Sequence, residues 1–140
     1  MTTIPDTPFG ARVRERLRDE QFAWLTMVGA DGTPEPNPVW FLWDGGDEIL
    51  VYNDNQARRL DRIGDGVRAS LNLQANAEGD DVVVLTGTLE PARDAPNPAE
   101  NQAFLAKYAA AIETIGYTAE QFGGRYDVAT RLRVDRVRGW

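Results

Sequence analysis

Apolar and polar residues alternate along much of this chain, and the alternation breaks at turns rich in glycine and proline. Phe22 to Val28 is the first such run, followed by Ala30-Asp31-Gly32-Thr33. Asp-Gly between two apolar runs is the strongest short-range hairpin signal a sequence carries. A second strand is predicted over Pro36 to Trp43. Prolines at 34, 36 and 38 point to an edge or a bulged start there, because proline gives a ladder no N–H. The turn Asp44-Gly45-Gly46-Asp47 leads into a third strand, Glu48 to Asn53.

Past that strand the period changes. Gln56 to Ile63 reads as a short helix with Leu60 and Ile63 as its apolar positions, ended by Gly64-Asp65-Gly66. A fourth strand, Val67 to Gln74, puts Val67, Ala69, Leu71 and Leu73 on one face. A fifth covers Asp81 to Glu90, with Gly87 at a bend or a close backbone approach. The last, Asp127 to Arg138, alternates Val128, Thr130, Leu132, Val134 and Val137 with Arg131, Arg133 and Arg136.

Helical spacing appears elsewhere. Thr7 and Pro8 read as an N-cap and first-turn proline for a helix reaching Asp19. Its arginines at 12, 14, 16 and 18 read as a solvated, salt-bridged face. Asn97 caps a helix from Pro98 to about Ile115, with Phe104, Leu105, Tyr108 and Ile112 at helical spacing and Gly116 closing it. Thr118 to Phe122 forms a further capped turn stopped by Gly123-Gly124. Six antiparallel strands with about three helices describe a small, mainly β (α+β) barrel in a single domain, residues 1–140. Closure disposes of its exposed edges.

Composition narrows the chemistry. The chain has 140 residues, no cysteine and no histidine. That removes disulfides, thiol nucleophiles, Ser-His triads and His-ligated metals. No spaced acidic loop suggests a carboxylate metal site, so no metal is expected. An enzyme of this composition would rely on a bound organic cofactor. The formal charge of −7 argues against nucleic acid as a partner. An anionic ligand would need a local basic cluster working against that field. No apolar run reaches the ~18 residues of a membrane span, so no membrane partner is expected. Met1 to Asp6 has no basic region leading into an apolar one; the expected location is the cytoplasm. Lys107 is the single lysine beside fourteen arginines. With abundant alanine, glycine and aspartate, this points to a GC-rich coding genome.

The order of these features resembles a known family. The pieces are Trp24-Leu25-Thr26-Met27 with Asp31-Gly32-Thr33-Pro34, and Asn37-Pro38-Val39-Trp40-Phe41-Leu42-Trp43. Val51-Tyr52-Asn53 with Ala57-Arg58-Arg59-Leu60 follows, then Arg68-Ala69-Ser70-Leu71 with Leu85-Thr86-Gly87-Thr88-Leu89, and the tail Thr130 to Trp140. Together they resemble the split β-barrel, flavin-reductase-like superfamily that includes pyridoxamine 5′-phosphate oxidase. Within it they resemble the actinobacterial branch that uses coenzyme F420, an 8-hydroxy-5-deazaflavin.

The resemblance implies a six-stranded antiparallel split β-barrel, a homodimer, and a cofactor groove at the two-fold interface. It implies that Arg58 and Arg59 hold the cofactor phosphate, with Tyr52 and Asn53 flanking them. It also implies that strand two, through Asn37, Pro38, Val39 and Trp40, lines the ring pocket. Adjacent helical residues cannot face one way, so one arginine of the pair should reach the phosphate more directly, with Arg62 as an auxiliary. Trp40 or Phe41 would wall the ring, Trp24 would be core, and Trp140 would dock on the partner subunit or over the groove. No catalytic side chain is assigned. Tyr126 is a candidate proton donor because no histidine can serve. The implied activity is hydride transfer from reduced F420 to an unsaturated small-molecule substrate. The alternatives are an FMN-binding oxidase or flavin reductase, and a carrier of either cofactor without turnover. Without a histidine, pyridoxamine phosphate oxidation itself is not implied.

Overall fold

The computed structural model describes residues 3–140; Met1 and Thr2, within the segment read above for a leader, lie outside them. The elements are α1 (Pro8–Asp19), β1 (Ala23–Val28), β2 (Pro34–Val39), β3 (Leu42–Trp43), β4 (Glu48–Asn53), β5 (Val67–Asn72), β6 (Val83–Pro91), α2 (Gln102–Thr114), α3 (Ala119–Arg125) and β7 (Val128–Gly139). Two 3-10 turns, Arg58–Arg62 and Pro98–Glu100, complete them. None of the described helices is long and apolar enough to cross a membrane.

All strand pairings are antiparallel, in the order β2-β1-β5-β6-β7-β4-β3. β2 and β3 therefore stand at opposite ends of the sheet, yet only Trp40 and Phe41 separate them in the chain. Three Cα steps span at most about 11 Å. The sheet must curl until its two edges nearly meet, which is the split-barrel form.

This corner also changes the strand count from six to seven. The predicted strand Pro36 to Trp43 divides, because its first half pairs with β1 and its second with β4. Phe41 turns fully into the barrel core, while Trp40 packs in a second cluster outside it. The corner's backbone, outside either strand ladder, is held by α2. The Phe41 N–H donates to the Tyr108 hydroxyl at 2.9 Å, and that hydroxyl lies 2.6 Å from the Gln21 carbonyl. Lys107 Nζ donates to the Phe41 carbonyl at 3.1 Å. Buried backbone groups need such partners.

The main core runs through the barrel from Leu25, Leu71, Leu85 and Leu132 to Val13 and Leu17 of α1. A second cluster of Tyr52, Phe104, Tyr108, Ile112 and Phe122 fixes α2 and α3 to the outside of β4. The prolines of β2 do lie on a sheet edge, as their spacing predicted. Gly87 sits at a bulge: Thr86 pairs with Arg136 and Gly87 with Val134, leaving Asp135 as the extra residue. A Cβ on Gly87 would lie 1.9 Å from the Arg133 carbonyl. The bulge also explains why the buried face of β7 shifts phase between Val134 and Val137.

Four local expectations are corrected. The turn after β4 is 3-10 rather than a longer helix. The helix predicted from Pro98 breaks at Asn101, whose side chain accepts from Phe104 N–H and starts α2 afresh. α3 has its Thr118 capping box but continues through Gly123-Gly124 to Arg125. Gly123 is required there by contact: its Cβ would meet Asn97 Oδ1 at 2.2 Å. Trp24 is not core. It alternates outward between buried Ala23 and Leu25, and its indole N–H reaches Gln74. The α1 arginines form the salt-bridged face expected, with Arg12 and Arg18 exposed and Arg16 paired with Glu20, while Arg14 donates to the carbonyls of Ile4 and Pro5.

Candidate functional site

The β2 edge and the turn after β4 face one another across a groove of about 540 Å³. It is lined by Met27, Glu35, Pro36, Asn37, Ala57, Arg58, Arg59 and Arg62. A second chamber of about 270 Å³ is lined by Pro38, Val39, Trp40, Tyr52, Arg59, Ile115, Phe122 and Tyr126. Arg59 is the residue common to both. Strand β2 thus runs from a cationic groove into an aromatic chamber.

The turn that carries the arginines is set by its own sequence. The Asp54 carboxylate accepts from Gln56 N–H at 2.9 Å, an Asx turn. Ala57 N–H donates to the Asp54 carbonyl. Arg125 of α3 donates to the same carboxylate at 2.8 Å, and Asn55 bonds the carbonyls of Arg125 and Gly124. These contacts tie the turn to α3. The Arg125 hydrogen bond, with that of Gln56, holds the Asp54 carboxyl below the usual carboxylate range.

The two arginines diverge. Arg58 is exposed and lines the groove alone. Arg59 is half-buried, and its Nη2 donates to Asn53 Oδ1 at 3.0 Å. Its Nε is buried with no hydrogen-bond partner. Burial pulls Arg59 below the ordinary arginine range, opposed by Asp54 and then Tyr126. Arg62 is already engaged by Glu35 in the groove wall.

Not every predicted site residue faces a cavity. Asn37 lines the groove, and Pro38, Val39 and Trp40 line the chamber, as expected. Asn53 lines neither. It is fully buried, and its Nδ2 donates to the Val128 carbonyl at 2.8 Å and to Thr130 Oγ1 at 3.0 Å. A side-chain amide at a strand end satisfies buried backbone first, so Asn53 reaches the site only through Arg59. Tyr52 shows its ring to the chamber, but its hydroxyl donates to Pro96 O at 2.6 Å and accepts from Asn101. Phe41 walls nothing: it lies in the barrel core beneath Lys107. Trp140 docks on its own chain, exchanging backbone hydrogen bonds with Val82 and donating its indole N–H to Asp80.

Phe122 and Ile115 were missed as chamber residues. Nothing local marks them, since they reach β2 only through the packing of α2 and α3. Phe122 stacks between Trp40, with centroids 5.4 Å apart, and Tyr126, at 4.4 Å. Burial and the nearby Asp54 carboxylate raise the Tyr126 hydroxyl above the usual phenol range, so it keeps its proton near neutrality. The arrangement can hold an anion at the groove, admit a flat ring against the aromatic wall of the chamber, and present a protonated phenol beside it.

Comparison with known proteins bears on the family and the fold. The sequence pattern described as pyridoxamine 5′-phosphate oxidase matches residues 9–140. The chain belongs to the pyridoxamine 5′-phosphate oxidase family. Among solved structures, this family member is similar to a conserved hypothetical protein from Mycobacterium tuberculosis. The identity is 18%, the TM-score 0.71, and the match covers 100% of this chain and 88% of that one. It is similar to a protein related to general stress protein 26, of the pyridoxinephosphate oxidase family, from Clostridium acetobutylicum (13% identity, TM-score 0.66, 91% and 84% covered). It is also similar to an FAD and heme binding protein from Mycobacterium smegmatis (18% identity, TM-score 0.58, 91% and 68% covered). At these identities the likeness carries the fold alone. No curated protein matches the sequence.

Proposed function

We propose that this member of the pyridoxamine 5′-phosphate oxidase family is an F420-dependent oxidoreductase that reduces an unsaturated organic substrate. The observation that carries the reading is the arginine groove opening at Arg59 into an aromatic chamber, with a buried Arg59 Nε that lacks an acceptor. A buried unpaired N–H of a cation is costly, and an anionic group of a ligand would relieve it. Bound deazaflavin would supply the hydride chemistry. Arg58 and Arg59 would bind its charged groups, Trp40 and Phe122 would wall its flat end, and Tyr126 would hold a proton at its hydroxyl. FMN is the alternative occupant, favoured by the family match. A carrier that binds without turnover uses the same residues.

The chamber is bordered by Ile115, which is 48% exposed, and Arg58 on the groove is exposed as well. We place a second copy of the chain over them, as a homodimer, so that the bound ring is shielded from water.

Side-by-side titration with F420 and FMN tests the reading. Arg58→Ala with Arg59→Ala should weaken binding of the preferred cofactor by about two orders of magnitude, as expected for two charge-assisted hydrogen bonds. Arg136→Ala with Arg138→Ala removes the same charge from an exposed face of β7 and should bind as wild type. Equal affinities in the two double variants would defeat the assignment. Tight binding with no oxidation of reduced F420 across a panel of enones and quinones would leave the carrier.

A further inference from the structure

We infer that Arg58 and Arg59 serve opposite ends of one ligand: Arg58 holds the phosphate, and Arg59 faces the ring and favours its reduced, more negative form. This deepens the cofactor reading and rests on it.

The two side chains differ in every relevant respect. Arg58 is exposed, lines the groove only, and has no hydrogen bond or ion pair among the described residues. Its neighbour in the groove, Arg62, is neutralised by Glu35. A solvated phosphate therefore finds Arg58 as the uncommitted groove cation among the described residues. Arg59 is half-buried and enters the aromatic chamber beside Trp40 and Tyr126. Its direction is imposed by the neutral Asn53 amide at 3.0 Å rather than by a carboxylate. A neutral anchor fixes orientation and leaves the positive charge available. The buried Nε without a partner marks a missing acceptor at this guanidinium. Among the described residues no carboxylate lines the chamber; Asp54 lies near Arg59 and Tyr126 and is itself paired with Arg125, whereas Glu35 lines the groove.

A ring that accepts a hydride gains one unit of negative charge. A fixed cation in a partly desolvated chamber stabilises that charge more than water-screened groups do. Arg59 therefore binds the reduced ring more tightly than the oxidised one. Arg58, a solvated group toward the far end, does so much less.

The test separates the ends by chemistry, using FMN and riboflavin, which share a ring and differ by the phosphate. Arg58→Gln should weaken FMN about tenfold and leave riboflavin unchanged. Arg59→Gln should weaken both about tenfold. Electrochemical titration of bound FMN, with electrons from the electrode and the proton from solvent, should show a lower potential in Arg59→Gln than in wild type. A tenfold lost preference corresponds to about 30 mV for two electrons. Arg58→Gln and Arg59→Lys should keep the wild-type potential. The proposal is overturned if Arg59→Gln weakens FMN while leaving riboflavin and the potential unchanged, since both arginines would then hold phosphate. Wild type alone gives a second measurement should Arg59→Gln not fold: bound FMN must have a higher potential than free FMN, and an equal or lower value overturns the proposal. Wild type that binds neither FMN nor F420 fails the cofactor reading itself, and the inference falls with it.

Discussion

Asn53 and Arg59 act as one unit: the fully buried Asn53 amide accepts from Arg59 Nη2 at 3.0 Å while its own N–H groups hold Val128 and Thr130 of β7. The final strand thereby sets the direction of an arginine seventy residues earlier in the chain. Asn53→Ala should cost about 2–3 kcal/mol of stability, because it takes the amide donor from the Val128 carbonyl and leaves the Thr130 hydroxyl only its long contact to the Val51 carbonyl. It should also weaken cofactor binding, since Arg59 loses its anchor. Urea denaturation and a cofactor titration on the same variant check both. Wild-type stability in Asn53→Ala would show that water replaces the amide at no cost.

Gly87 is a position where the sheet cannot accept a side chain. Its Cβ would overlap the Arg133 carbonyl at 1.9 Å, a backbone atom that cannot swing away. Gly87→Ala should destabilise by about 3 kcal/mol or abolish folding. Gly124→Ala, where nothing lies within 4 Å of the new Cβ, should fold normally. Denaturant midpoints of the pair decide it.

Lys107 makes stability depend on pH. Burial lowers its pKa to about 8, opposed by Asp19 and Glu20, whereas an unfolded lysine titrates near 10.4. Between those values the folded chain carries fewer protons than the unfolded one, so stability rises with pH from about 8 toward 10. The gain is lost again as pH falls through the folded value. Above pH 10, burial holds the Tyr108 phenol protonated while the unfolded tyrosine ionises, and stability falls. Denaturant midpoints at pH 7.5 and 9.5 should differ in wild type and converge in Lys107→Met. A flat wild-type profile would contradict the burial of this amine.

The homodimer is checked by light scattering. With cofactor present at micromolar protein, the expected mass is twice 15.6 kDa. Within the aromatic run from Trp40 to Trp43, Phe41 is core and Trp40 stacks on Tyr108 at 4.7 Å. Exposed Ile115 at the chamber border is the better probe. Ile115→Glu should shift the mass toward 15.6 kDa; an unchanged dimer would place the contact elsewhere.

Much of the local structure is legible from the residues alone. Glu48–Asn53 and Pro8–Asp19 coincide with their elements because alternation, Thr7 capping and a first-turn proline act within a few residues. The Asp31-Gly32 and Asp44-Gly45 turns follow for the same reason, with Gly32 and Gly45 both at φ +87°. The edge role of β2 is written in its three alternating prolines, and Arg58 and Arg59 stand on the turn that the sequence marks after β4.

The rest depends on what the chain meets. The division of Pro36–Trp43 into two strands is invisible locally, because its two halves read as one apolar run until β1 and β4 claim them separately. Whether an aromatic of that run belongs to the core or the chamber depends on Lys107 and Tyr108, which grip Phe41 from α2. The sequence by itself determined the periodicities, the turns and the presence of a basic pair, since these are short-range steric and hydrogen-bonding properties. Only the tertiary structure decided that Asn53 is buried, that Arg59 parts company with Arg58, and that Phe122 walls the chamber. Each of those rests on burial against residues far along the chain, and burial is a property of the packed whole.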